Sequence, residues 1–421
     1  MALHRFVHVG DLHQQSTHPR NGDRLASLDQ IIAHGEQRAA AGELAAWCLP
    51  GDLFHTRSTA DDRNALAARL QRMAFLAPVV ITAGNHDAPG DLDIFARLDG
   101  AHPLVVATQP RLVGIDTGTG VHAWILCLPY AHKAGLVGAG VEHTQLPQVA
   151  AGSFDAILIA LGDDLQHHVD AGEPCLVNLH QNIAGAVSSV GQPQIGSEIE
   201  YSTALLDRLP ADAPILANHI HKHQVMARTV GLPAVFAGST SRHDYGEMEE
   251  KGFVEWTLDD LIVQLDPGDG WSWQFLPLNV PQQFQVEGTL DREYFEITRV
   301  NGEPADQRPN WKGSDVRVRY EYQKAAISTL DTAKILAEFA DVRSLKLEGV
   351  PVAIAEVRAP EVIAAVTLDA KVEALCVRQG IAWTPGIVEK LSALQQDDAA
   401  DIIAAWADAG APVAILESAV A

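Results

Sequence analysis

From Arg5 to about residue 240 the chain alternates short apolar runs with stretches whose apolar residues recur at helical spacing, and few folds accommodate that pattern. The runs RFVHV (5–9), LAAWCL (44–49), VVIT (79–82), AWILCL (123–128), CLVNL (175–179), PILA (214–217) and AVFA (234–237) predict buried strands. Between the first two, Leu25, Leu28 and Ile32 fall on one helical face, and Gly42 supplies a stop. Between the second and third, Ser58 is a candidate cap. Asp61 and Asp62 suit a first turn, and Leu66, Leu70 and Met73 line one face. Strands alternating with helices predict an α/β domain, and in open α/β sheets ligands gather beyond the carboxyl ends of the strands.

Those ends carry chemistry. The first run closes in Gly10-Asp11-Leu12-His13, whose Asp and His project to one side of extended chain. The second closes in Gly51-Asp52-Leu53-Phe54-His55 and the third in Gly84-Asn85-His86-Asp87. CLVNLHQN puts His180 after a buried run, and PILANHIHKHQ puts His219 and His221 two residues apart. The preceding glycines allow sharp turns and close approach to a ligand. Oxygen and imidazole donors mixed in this way suit Mn²⁺, Fe²⁺ or Zn²⁺ better than Mg²⁺. A carboxylate shared by two ions would hold them roughly 3.5–4 Å apart, the spacing that activates water and clamps a phosphoryl group.

Singly, each motif is everyday turn chemistry. Five of them in order at strand ends make coincidence a poor explanation. His223 extends the last series and competes with His221 for the same role. His4 and His8 read as packing or surface residues, and His167 and His168 as solvated positions on a helix.

Composition limits the partners. The 421 residues exceed one core, so two or three domains are expected. With 47% hydrophobic and 20% charged residues, the chain has no case for disorder. A net charge of −24 argues against a general nucleic-acid coat protein, yet bound divalent ions can invert the charge of an active site and a basic partner can supply a DNA path. The four cysteines have no metal spacing and read as core. No apolar run is long enough for a bilayer, and MALHRFVHVGD does not read as a secretory signal, so a cytoplasmic protein away from membranes is expected.

The texture changes near 256–283, where DPGDGWSW and PLNVPQQF are turn-rich. Three segments are expected: a catalytic domain at 1–280, a small α+β domain at 281–355 and a helical region at 356–421. In the second, FEITRV (295–300) and VRVRYEY (316–322) predict strands, and an amphipathic helix is expected around 330–340. Arg317, Arg319 and Lys324 form the best basic ladder for a phosphate backbone in this acidic chain. In the third, Pro360 opens the helices and Thr384-Pro385 caps one of them. Stripes of Ile387, Leu391 and Leu394 and of Ile402, Ile403 and Trp406 suit a partner's surface.

The order D-x-H, GD, GNHD, H, H-x-H resembles the calcineurin-like metallophosphoesterases throughout the first 240 residues. Within that superfamily the chain is most similar to the SbcD group of DNA-repair nucleases. GDLFH has His where many phosphatases have a second Asp, AGNHD matches that group's third motif, and FAGSTSRHDYGEMEEKGFVEWTL resembles its segment after the last histidines. One departure is Asn218, which stands where the family has Gly before the final H-x-H.

The resemblance implies a fold of two packed sheets flanked by helices, followed by a capping domain and a helical tail. It implies that Asp11, His13 and His221 hold one ion, that Asn85, His180 and His219 hold the other, and that Asp52 bridges them. His86 would protonate the leaving oxygen, Asp87 would orient its ring and His55 would position the nucleotide. The implied cofactor is two divalent ions, with manganese favoured. The implied partners are DNA and a coiled-coil SbcC-like ATPase gripped by the tail, within a complex containing two copies of this chain. The expected function is therefore a DNA exonuclease and endonuclease subunit of repair or recombination, hydrolysing phosphodiesters with water activated by two ions. A phosphatase or cyclic-nucleotide phosphodiesterase on the same core is the nearest rival, and a non-catalytic scaffold is the rival from another class.

Overall fold

A computed structural model describes residues 2–131, 146–192, 199–260, 270–292, 294–306, 308–352 and 359–396. These divide into two compact units, one of residues 1–322 with 326–351 and one of residues 323–325 with 352–421.

The first unit contains two six-stranded sheets. One runs in the order Trp271–Pro277, Gly252–Asp259, Leu3–His8, Leu44–Pro50, Val79–Thr82, Leu104–Ala107. Its last four strands are parallel and the first two antiparallel. The other runs Gln224–Met226, Ala234–Phe236, Ile215–Asn218, Cys175–His180, His122–Leu128, Arg111–Asp116, with four parallel strands between two antiparallel edges.

Strand alternation builds the layers. In Leu44–Pro50, Trp47 and Leu49 face the helices Asn21–Ala40 and Ala60–Leu76, packing with Leu28, Ile32, Leu66, Leu70 and Met73. Ala46 and Cys48 face the second sheet, where they meet Ile125, Cys127, Leu176 and Leu216. The far side of that sheet packs Val177, Leu179 and Ile215 against Leu158 and Leu165 of the helix Leu146–Asp170. The result is helix, sheet, sheet, helix. Both sheets are covered on both faces, which is why their inner strands read as unbroken apolar runs.

The helix Ala60–Leu76 is capped by Thr59 rather than the expected Ser58. Thr59 Oγ1 accepts from Asp62 N at 3.2 Å, and Asp62 Oδ2 accepts from Thr59 N at 2.8 Å, a reciprocal box that Ser58 stands one residue too early to make.

The boundary expected near 280 falls inside the first unit. Beyond it a five-stranded sheet, ordered Glu303–Pro304, Phe295–Val300, Gln283–Leu290, Asp315–Gln323, Ser344–Val352, has its own core of Phe284, Val286, Val316, Val318, Ile335 and Phe339. Arg242 joins the two parts by donating to the carbonyls of Val280 and Pro281 at 3.1 and 3.2 Å, and Arg343 pairs with both Asp23 and Asp315. The expected amphipathic helix is Ala333–Glu338.

In the second unit the helices are Pro360–Ala364, Leu368–Gln379 and Pro385–Gln396. Leu391 is buried, Ile387 half-buried and Leu394 exposed, so the first proposed stripe is divided between interior and surface. Ile402, Ile403 and Trp406 lie outside the described residues. No described helix is long and apolar enough to cross a membrane, and all four cysteines are free and buried.

Candidate metal centre

The strands Leu3–His8, Leu44–Pro50 and Val79–Thr82 lie side by side and parallel, so the turns after them emerge at one edge of the first sheet. They carry Asp11 and His13, Asp52 and His55, and Asn85 to Asp87. From the second sheet, His180 ends its strand and His219 and His221 follow Ile215–Asn218. The two edges meet around a cavity of about 220 Å³ lined by His13, Asp52, Asn85, His86, His219 and His221, among others.

The backbone here is unusual. Four non-glycine residues among those described have φ in the left-handed region, and three of them are His13 (47°), Asp52 (52°) and His219 (101°). Such conformations persist only where the surroundings enforce them. The glycines are needed for approach: a Cβ on Gly51 would overlap the His180 ring, and one on Gly84 would overlap the Asp52 carboxylate.

The donor atoms form two groups. In one, His13 Nε2 and His221 Nε2 are 3.1 Å apart. In the other, Asn85 Oδ1 lies 3.1 Å from His180 Nε2 and 3.0 Å from His219 Nδ1. Asp52 Oδ2 stands between them, 3.3 Å from His180 Nε2 and 3.6 Å from His13 Nε2. Ligands held ~2.1 Å from a shared ion at right angles are about 3 Å apart, so these separations fit donors around two ions. Asp11 adds to the fit: its Oδ2 is buried without a hydrogen bond, while Oδ1 accepts from His219 N at 3.3 Å. Asp11, His13 and Asp52 form one cluster able to hold an ion, and Asp52, His180 and His219 another.

The electrostatics make the same demand. Burial pushes the Asp11 carboxyl above the carboxylate range, against the pull of His180. Burial would also raise Asp52, but His180 and His86 together outweigh it and hold the carboxyl below its usual range. Burial lowers His13 and His221 well below the ordinary imidazole value, with like neighbours adding to the effect, which leaves both as the neutral rings that ligate metals. Burial would lower His180 too, but Asp52 and Asp11 outweigh it and push the ring up to about 9, so positive charge between the two carboxylates is favoured, a place a bound cation can take. His180 Nδ1 donates to Pro50 O at 2.6 Å, fixing the tautomer that presents Nε2 to Asp52 and Asn85.

His86 adjoins these donors. Its Nδ1 donates to His55 O at 2.7 Å, and its backbone N donates to Asp52 Oδ1 at 2.8 Å. The expected pairing of Asp87 with the His86 ring is not formed. Asp87 accepts instead from Phe54 N at 3.1 Å and Gly84 N at 2.9 Å, bracing the second and third turns against each other. The carbonyl of His55 orients His86, while the His55 ring packs nearly parallel to that of His86 and its Nδ1 lies 3.3 Å from His13 Nδ1.

His223 is engaged with other residues than those donors. Its Nδ1 donates to Phe236 O at 2.7 Å and its ring stacks on Phe275. Asn218, at the family's glycine position, bridges inward: Oδ1 lies 3.1 Å from His8 Nε2, and Nδ2 donates to Val9 O. His168, expected to be solvated, stacks on Trp124 with centroids 3.7 Å apart.

Two residues not singled out from the sequence enter the site. His243 has ring centroids 4.6 Å from those of both His13 and His221. Arg24 is buried and donates to His13 O. His243 follows the parallel strand Ala234–Phe236, so the strand-end rule that picked out the other residues reaches it too. Arg24 sits in the first turn of the helix Asn21–Ala40, away from any strand end, and has no such signal. Behind them the buried pair Lys251–Glu247, at 2.7 Å, secures the site: Lys251 Nζ donates to His221 O, and Glu247 accepts from the backbone of His243 and Asp244.

Of the basic ladder, Arg317 lies over the Tyr245 ring at 5.1 Å, as Arg20 also does, and donates to Gln285. Arg319 and Lys324 are exposed.

Two mixed sheets whose parallel inner strands deliver Asp, His and Asn to a shared edge suit a metal-dependent phosphoesterase. The profile of the calcineurin-like phosphoesterases matches residues 4–223, and the chain belongs to that family. It is also similar to the SbcD component of the nuclease SbcCD of Bacillus subtilis (strain 168), with 26% identity over 290 residues spanning 64% of this chain and 68% of that protein.

Proposed function

We propose that the chain is a manganese-dependent DNA nuclease subunit that cuts phosphodiester bonds in repair or recombination, working with an SbcC-like ATPase. The observation that carries this is the placement of Asp52 Oδ2 between the His13–His221 and Asn85–His180–His219 groups. Asp11, His13 and His221 would hold one ion, Asn85, His180 and His219 the other, and Asp52 would serve both. When bound, the ions supply the Lewis acidity that lowers the pKa of water and offsets charge on a phosphoryl group.

The chain's own residues do the rest. His86, anchored through Nδ1 on the His55 carbonyl, has Nε2 free to deliver a proton to the departing oxygen. That carbonyl holds the Nδ1–H in place, so Nε2 is the nitrogen that takes up and releases the proton. Arg317, Arg319 and Lys324 would contact the DNA backbone, with the 281–355 segment acting as a cap on the 1–280 catalytic segment. The 356–421 region would grip the ATPase, which would contribute the positive charge that a chain of net charge −24 lacks.

The test is cleavage of single-stranded and hairpin DNA with Mn²⁺, with and without the ATPase, beside hydrolysis of a nitrophenyl monoester. We expect DNA cleavage that a chelator abolishes and Mn²⁺ restores best. Monoester hydrolysis with DNA left intact would make the chain a phosphatase, and failure to take up any ion would make it a scaffold. Equal activity with Mg²⁺ alone would overturn the assignment of manganese.

A further inference from the structure

His243 stands in the cavity wall with His13, Asp52, His86 and His221, and one of its ring nitrogens lies within 4.8 Å of a ring nitrogen of both His13 and His221. Proximity alone makes it a candidate ion ligand. Its hydrogen bonding points elsewhere. Arg24 directs Nη1 to the His13 carbonyl and places Nη2 3.4 Å from His243 Nδ1. A guanidinium donates and cannot accept, so Nδ1 carries the lone pair. With Nδ1 accepting from Arg24, the ring's proton sits on Nε2. This nitrogen is buried and has no hydrogen-bond partner among the described residues. An N–H cannot ligate a metal, and the nearby nitrogens of His13 and His221 are committed as ligands. The cavity that His243 lines is the place from which an acceptor can reach it.

The ring is fixed for that task. His243 N and Asp244 N donate to Glu247 at 3.3 and 3.1 Å, and Glu247 is locked by Lys251. On its face the ring lies within 17° of parallel to that of His55. A preorganised donor beside a metal pair suits a non-bridging phosphoryl oxygen, where negative charge concentrates. We propose that His243 is a substrate-binding residue that donates Nε2–H to such an oxygen, with Arg24 as the positioning residue that sets its tautomer. This rests on the phosphoesterase role argued above.

The test uses the full chain loaded with Mn²⁺ and inorganic phosphate as the probe, with ion content measured alongside phosphate affinity by calorimetry. His243→Phe keeps a flat ring without the donor and should weaken phosphate binding about tenfold or more, the usual effect of one hydrogen bond to an anion. His243→Gln places an amide N–H near the Nε2 position and should restore most of the affinity. Both variants should hold as many ions as the wild type. Unchanged phosphate affinity in the Phe variant, or failure of Gln to rescue, would overturn the proposal. Loss of an ion in the Phe variant would also overturn it, and would make His243 a ligand. Hydrolysis of a nitrophenyl phosphodiester by the wild type separates the two levels. If it proceeds while phosphate binding ignores His243, only this proposal falls. A wild type that takes up no ion removes the phosphoesterase role as well.

Discussion

Replacing His86 by Asn gives the sharpest test of the proposed chemistry, because the structure separates what the side chain does from what the backbone does. The peptide N–H of residue 86 donates to Asp52 Oδ1 at 2.8 Å whatever side chain it carries, so Asp52 stays aimed between the two donor groups. The side chain's own bond is Nδ1 to the His55 carbonyl at 2.7 Å. Its loss should lower stability by about 1 kcal/mol. Ion uptake should not change. Catalysis should fall much further, by about 10²–10⁴-fold, or roughly 3–5.5 kcal/mol of barrier, the range for a general acid. That loss depends on the leaving group. An alkoxide, as in a dinucleotide or DNA, needs the proton, whereas a nitrophenolate departs without help. Turnover of a dinucleotide and of a bis-nitrophenyl phosphodiester should therefore be measured for both proteins at matched ion content. A large defect on the first with a small one on the second is expected. Equal defects on both would refute proton donation by His86, and loss of an ion would show that it holds the metal site together.

Asp52→Ala should lose both ions while Asn85→Ala weakens mainly one, which metal analysis after dialysis would resolve; equal losses would contradict the bridging position. Asp87→Asn should lower stability by about 1–3 kcal/mol, since its carboxylate braces the backbone of Phe54 and Gly84, with activity per folded molecule falling less than in His86→Asn; thermal unfolding and turnover together check this. Burial would raise Glu255, but His34, Arg38 and Arg5 outweigh it and hold its carboxyl at about 2. The folded value lies below the unfolded one, so the group's contribution, about 3 kcal/mol, is complete above pH ~4.5 and disappears as pH falls through about 2; denaturant titrations should show Glu255→Gln losing that acid dependence. Truncation before Pro360 should abolish association with the ATPase while sparing Mn²⁺-dependent cleavage of single strands, and co-purification at undiminished affinity would sink the assigned role of the tail.

Much of the double sheet could be read from the sequence because its inner strands are buried on both faces: every residue of Leu44–Pro50 is buried, and such a run has no competing helical interpretation at that length. The edges were harder. Trp271–Pro277 alternates half-buried with exposed residues, and the turn-forming DPGDG before it drew the reading toward a loop, although Trp271, Trp273 and Phe275 share a face against the inter-sheet core. The donors converge as their strand-end positions suggested, since parallel neighbours must bring their carboxyl ends together. Asp87 went the other way. The resemblance implied that Asp87 orients His86, but at a sharp turn the next residue points back into the protein, where two N–H groups wait for it. Arg24 was invisible for a related reason: a helical position gives no hint that its side chain reaches a carbonyl eleven residues earlier.

The left-handed backbone at His13, Asp52 and His219 sets the ion site against the stability of the fold. Holding side chains with a Cβ in that region costs about 1–3 kcal/mol at each position, and glycine would largely avoid it. Glycine at any of the three would therefore ease the backbone while deleting a donor. A descendant released from selection for its chemistry would gain from such changes, and decay should begin at these positions while Trp47, Leu49 and the rest of the core stay intact. A glycine at 13, 52 or 219 in an otherwise well-packed relative would mark a protein that has kept the scaffold and abandoned the reaction.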